Sequence, residues 1–217
     1  MEQKILDEVR EIKKSLRLAM NGIVSTLQRR QGLDYKINFG VEVPRLKGIA
    51  EAHEKSSGLA AALWQDNIRE CKMLAIFLMP EEAYSTVADK WVEEVRFTEI
   101  ADQLAMHLLC RLPDAWEKAL LWTGKQEGLY GYCGFLTISH LVRRDTRPSA
   151  EQELAFFNSI IAIDRQERQG ITALSALNAL TNYLDRFQDA TARFKKTMAD
   201  KDYHPGWLTS LAESFDI

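Results

Sequence analysis

Proline and glycine are scarce in this chain, five and eleven among 217 residues, and that scarcity argues against a loop-rich β protein. Excess positive charge is missing too. The net charge is −3, so nothing in the bulk balance pulls the molecule toward nucleic acid, although a local basic face is a separate matter. No apolar run approaches the roughly 18 residues of a membrane span, and the opening MEQKILDEVREIKKSLRLAM lacks the apolar core of a signal peptide. Neither a membrane nor a secretory route is expected. There are only three cysteines, Cys71, Cys110 and Cys133, an odd number set inside apolar helical patterns. They read as reduced, buried thiols of a cytoplasmic protein. P-loop, GxGxxG, G-x-S-x-G and H-E-x-x-H motifs are all absent.

What is present is helix-forming sequence. Alanine, leucine, glutamate, lysine and arginine dominate. The 3.6-residue period predicts a helix over about 2–30, with Ile5, Val9, Ile12, Leu16 and Met20 as its early stripe. Residues 31–43 read as a connection. Pro44 opens a helix at its first turn. Further helices are expected from Gly58 toward Trp64, from Asn67 to Pro80, and after the acidic pair Glu81-Glu82. Thr98 reads as an N-cap, and Pro113-Asp114 as the opening of the next helix. A helix over 129–144 follows a loop between Gly124 and Gly128. Ser149 and Gln152 form an S-x-x-Q capping box ahead of a helix through Ile163. Helices at 169–184 and 187–201 come next, then a break at Pro205-Gly206, a last short helix, and Trp207 as a cap on the last repeat.

That makes about a dozen helices and no convincing strand. Helix pairs of roughly 35 to 40 residues are the arithmetic of a HEAT-like α-solenoid. A compact orthogonal bundle is the alternative on periodicity alone. The whole chain, 1–217, is taken as one domain.

On a helical wheel for 97–112, Ala101, Leu104, Ala105, Leu108 and Leu112 share one face. Asp102 lies at the edge of that face beside Met106 and Leu109, with Gln103 and His107 nearer to solvent. A carboxylate at such a boundary either ties down a neighbouring helix or borders a groove.

Several pieces in order carry a family resemblance. They are GVEVPRLKGIA at 40–50, Leu63-Trp64 followed by Arg69-Glu70, a tryptophan at Trp91, and FTEIADQL. Over about residues 30 to 145 the chain resembles the DNA alkylation repair family, the AlkD-like group of HEAT-repeat DNA glycosylases. The resemblance implies an all-α, HEAT-like superhelix of antiparallel helix pairs that holds duplex DNA on a concave face. It implies excision of cationic alkylated purines, with an aspartate that stabilises the positive charge building on the sugar as the bond breaks. Asp102 matches that aspartate and is the expected catalytic residue. Thr98 stands where the family has an aromatic, and Tyr132 where it has a cleft arginine. Asn178 stands at a tryptophan, and Thr181 at a second arginine.

The expected nucleic-acid-binding residues are therefore Thr98, Tyr132 and Asn178, with Arg143, Arg144 and Arg147 as phosphate contacts. Tyr132 keeps an aromatic face and a hydroxyl but brings no cation. The changed positions point to a divergent DNA-binding member whose excision activity is reduced or replaced. Two other readings stand beside it: a structure-specific DNA binder without glycosylase activity, and a non-catalytic scaffold for a protein or peptide partner. His107, Cys110, Cys133 and His140 are ligand types, but their spacing matches no standard zinc site. No metal and no cofactor is expected.

Overall fold

In a computed structural model the described residues are 2–165 and 170–202. They form twelve α-helices and two short 3-10 turns, with no named strand among them. The fold is all-α. None of these helices is long and apolar enough to cross a membrane. The chain divides into two compact units, Met1–Ala88 and Asp89–Ile217, with the division falling inside one helix.

The first unit contains α1 (Glu2–Leu18), α2 (Gly22–Arg30), α3 (Val43–Glu51), α4 (Ser57–Gln65) and α5 (Arg69–Leu78). The single helix expected over 2–30 is two helices. Asn21 adopts an extended conformation and caps α2, its side chain accepting from the Val24 N–H at 3.2 Å. Val9, Ile12 and Leu16 are buried as the stripe predicts, whereas Met20 lies beyond the end of α1 and is exposed. The expected start at Asn67 shifts to Arg69, because Ile68 is extended and bridges Ile37.

The connection at 31–43 carries part of the core: Tyr35, Asn38, Phe39 and Val41 are buried. Glu70, fully buried, fastens it by accepting from the Phe39 N–H at 3.1 Å and the Val41 N–H at 3.2 Å. Arg69 balances that charge, reaching Glu70 at 3.1 Å and the Val41 carbonyl at 3.0 Å. The Arg69-Glu70 pair of the sequence motif is thus a structural fastener. Gly40 has φ +69, and a Cβ there would sit 2.3 Å from the Asn21 carbonyl oxygen, so the same turn needs glycine on both counts.

The remaining helices are α6 (Tyr84–Glu94), which spans the division, and then α7 (Thr98–His107), α8 (Ala115–Thr123), α9 (Tyr130–Arg143), α10 (Ala150–Arg165), α11 (Ile171–Arg186) and α12 (Ala190–Asp200). Within the second unit α9 packs against α7, α8 and α11. Its direction follows from what meets what. A Cβ on Gly131 would lie 2.9 Å from Thr172, near the start of α11. Val142 and Arg143 share a groove with Asn182, Asp185 and Arg186, near its end. The two helices therefore run parallel.

Cys110 and Arg111, just past α7, likewise share a groove with Leu141 and Arg144. α8 runs the other way, since Gly134 abuts Ala119 and Thr123 while the Trp116 indole N–H donates to the Thr146 carbonyl at 3.1 Å. So α7, α9 and α11 form one layer, and α8, α10 and α12 pack in succession behind it.

The core of this unit holds Trp91, Trp116, Trp122, Phe135, Phe156 and Tyr183, and Trp64 is buried in the first unit. The capping box forms as read. The Ser149 N–H donates to Gln152 Oε1 at 2.9 Å, and the Gln152 N–H to Ser149 Oγ at 3.2 Å. Glu153 follows and anchors α10 to its neighbours. It accepts from the Tyr183 hydroxyl at 2.6 Å and from Arg193 Nη2 at 2.7 Å. The expected break at Pro205-Gly206, the last short helix and Trp207 lie outside the described residues.

Candidate functional site

Asp102 and Tyr132 come together. The Tyr132 hydroxyl donates to Asp102 Oδ1 at 2.8 Å, joining the first half of α7 to the first turn of α9. Tyr132 is 8% exposed, while Asp102 remains half-buried at the edge of its helix. Burial raises the Asp102 pKa above its ordinary value, and the phenol hydrogen bond opposes that rise. Burial, and then the bond to Asp102, push the Tyr132 phenol well above its ordinary value, so the hydroxyl stays a neutral donor. Asp102 enters no ion pair among the described residues.

The absence of a cation distinguishes this acid from Glu153, which has the same phenol partnership thirty residues along the chain but is also neutralised by Arg193. For Glu153, burial raises the carboxyl, but Arg193 and Tyr183 together outweigh it and the net direction is down. The Asp102 carboxylate keeps a field that an incoming positive charge can use.

The other expected residues lie on the same three helices or just past their ends. Thr98 is the first residue of α7 and not its cap: Phe97 holds the N-cap position, with no side-chain cap bond. An extended Phe97 moves the helix start one residue earlier. α7 also ends at His107, five residues before the end of the wheel, and a 3-10 turn at Leu109–Arg111 follows. Gln103 and His107, expected nearer to solvent, are half-buried, and Gln103 Oε1 is buried with no hydrogen-bond partner. Asn178 is exposed on α11, the third helix of the same layer. Thr181, partly exposed there, donates to the Leu177 carbonyl at 3.0 Å.

Arg143 ends α9 and Arg144 is its C-cap residue; both are exposed. Arg147 is already engaged, reaching both Asp189 carboxylate oxygens at 3.3 Å and lying 4.4 Å over the Phe187 ring.

The helices of this layer are poor in cations. α7 has neither lysine nor arginine, α9 has only Arg143, and α11 has only Arg186, which pairs with Asp145. Burial, and then Arg143, lower the His140 pKa, so this imidazole adds no charge at neutral pH. Within these three helices lysine and arginine occur only at the C-terminal ends, while Lys125 lies 4.1 Å over the Tyr130 ring at the start of α9. The exposed Ile171 and Leu174 add an apolar stretch on α11 beside Asn178.

The cysteines are buried thiols, and burial pushes Cys71 and Cys133 up to about 12, which makes them unreactive at neutral pH. No group of three or more metal-ligating side chains occurs among the described residues. Gly131 and Gly134 let α9 approach α11 and α8 closely, and so serve packing.

Stacked helices in two layers, with a phenol-held acid on one of them, define an all-α protein of the helical-repeat class. The family model of the DNA alkylation repair enzyme matches residues 32–194, and the chain belongs to that family. No curated protein and no solved structure matches the chain significantly.

Proposed function

We propose that this protein is a divergent DNA-binding member of the DNA alkylation repair family. It holds duplex DNA against the α7–α9–α11 layer, with Arg143 and Arg144 on the phosphates. Asp102 is the group that meets developing positive charge during base excision. The observation that carries the reading is the half-buried Asp102 carboxylate, fixed by Tyr132 and compensated by no cation. A preorganised acid of this kind stabilises a cationic sugar or a cationic base where the charge arises.

The missing cation at position 132 sets the level of activity. A phosphate-positioning guanidinium contributes about 1.5–3 kcal/mol through a charge-assisted hydrogen bond, and Tyr132 supplies none. Excision is accordingly weak.

Release of alkylated purine from treated duplex tests the chemistry. Wild type releases base slowly and Asp102→Asn does not. Equal release by the two proteins, or none from either, rejects Asp102 as catalytic. Duplex affinity against salt tests binding. With two phosphate contacts the slope is shallow, about −0.9 per contact, and Arg143→Ala and Arg144→Ala each remove one contact. No binding at low salt rejects every DNA reading.

A specific observation favours a second reading. Ile171 and Leu174 are 44% and 61% exposed on a layer with few cations, which suits a non-catalytic scaffold for a protein or peptide partner. That reading gains if duplex binding is absent while the fold is intact.

A further inference from the structure

A groove of about 520 Å³ opens at the far end of the second unit, within the roughly 300–1,000 Å³ range of small-molecule sites. It is lined by Cys110, Arg111, Asp114, Trp116, Leu141 and Arg144, among others. Tyr132 and Arg144 are twelve residues apart on α9 and its cap, about 18 Å at 1.5 Å per residue, so the groove is separate from the Asp102–Tyr132 pair.

Three observations point to what it would take. Arg111 and Arg144 both line the groove, alongside the acids Asp114 and Glu117, and both guanidiniums act on the Cys110 thiol, which burial raises and the two arginines lower. Arg144 has no ion pair among the described residues. Asp114 occupies the N-cap position of α8 yet makes no cap hydrogen bond, and its Oδ1 is buried with no partner. A buried acceptor left unpaired is costly, and a ligand donor would relieve it. Apolar side chains line the groove as well. Leu141 is buried there, and Trp116 is fixed by its bond to the Thr146 carbonyl and by edge contacts with Phe156 and Tyr183.

We propose that this groove binds a nucleoside monophosphate unit carrying an amino-bearing base. The phosphate goes to Arg111 and Arg144, and the exocyclic amine donates to Asp114. The same chemistry comes from a free mononucleotide or from a phosphorylated DNA end. The inference does not depend on duplex binding by the α7–α9–α11 layer.

Calorimetry on the full chain with AMP, IMP and inorganic phosphate tests it. AMP binds; IMP, which lacks the amine, binds at least about tenfold more weakly, the scale of one charge-assisted hydrogen bond. Arg144→Ala abolishes AMP binding, and Asp102→Asn leaves it unchanged. Short duplexes ending in a 5′-phosphate or a 5′-hydroxyl identify the source. A preference for the phosphate that Arg144→Ala removes assigns a DNA end, and no preference assigns the free nucleotide. Equal affinity for AMP and IMP, binding of phosphate alone, or no binding of AMP at millimolar concentration overturns the proposal. The AMP–IMP comparison uses wild-type protein and needs no variant to fold.

Discussion

Tyr132 donates a 2.8 Å hydrogen bond to Asp102, and Tyr183 donates one of 2.6 Å to Glu153. Each pair joins helices across thirty residues. Only Glu153 has an arginine to balance it. The two acids therefore respond to pH in opposite directions.

Asp102 destabilises the fold when ionised. Burial holds its folded pKa above the ordinary 3.8, so the folded state binds more protons than the unfolded chain between those two values. Stability contributed at this site is full at low pH and falls as pH rises through that window. Asp102→Asn removes the fall, while its amide oxygen still accepts from Tyr132. The denaturation midpoint of the variant should exceed that of wild type at pH 7, and the gap should narrow as pH falls through that window toward 3.8. A gap that does not change with pH would contradict the burial argument.

Glu153 behaves in the reverse sense. Its folded pKa lies below the ordinary 4.5, so its contribution is present above that value and is lost as pH falls through the folded pKa. Arg193→Ala leaves a buried carboxylate with only Tyr183. A loss of about 1–3 kcal/mol at pH 7 is expected, below the full figure for a buried pair because Arg193 is partly exposed. The loss should shrink in acid, where Glu153 is protonated. Chemical denaturation at two pH values measures both effects.

The glycines of α9 and α3 make a matched pair. A Cβ at Gly134 would lie 2.7 Å from the Ala119 carbonyl oxygen and 2.9 Å from the Thr123 nitrogen, both backbone atoms. Gly134→Ala forces α8 and α9 apart and should cost about 1–3 kcal/mol. Gly48 lies inside α3 with nothing within 4 Å of its Cβ position. Gly48→Ala should add about 0.5–1 kcal/mol. Thermal midpoints moving in the same direction for the two variants would refute this account of the helix contact.

Glu70 tests the fastener of the first unit. Glu70→Ala frees the Phe39 and Val41 N–H groups and removes the carboxylate beside Arg69, which is 4% exposed. About 3–5 kcal/mol should be lost. Hydrogen exchange at the Phe39 and Val41 amides should speed up before that of α4 does. Uniform acceleration across the unit would mean that Glu70 serves no local role.

Local chemistry made much of this structure legible from sequence. The Ser149–Gln152 box closes within four residues, so the sequence contains everything it needs. The break at Asn21 was hidden because Met20, Ile23 and Leu27 carry the apolar period across it, and those three residues prove to be exposed. At the candidate site, Asp102 was visible as an acid on an apolar boundary. Its partner was not, since a bond from α9 to α7 is set by packing that no local pattern encodes. Arg143-Arg144, expected as phosphate contacts, fall at the end of α9 and leave its face uncharged.

The hydrogen bond from Tyr132 has an implication for protein engineering. A guanidinium installed at position 132 would start from the backbone site that now delivers a phenol to Asp102. The acid would be its nearest counter-charge, ahead of any phosphate on an approaching strand. Tyr132→Arg would then quench the free carboxylate by pairing with it. An arginine at position 132 that stays open to solvent accordingly calls for coordinated substitutions on α7 and α9, because the two positions are tied by one hydrogen bond.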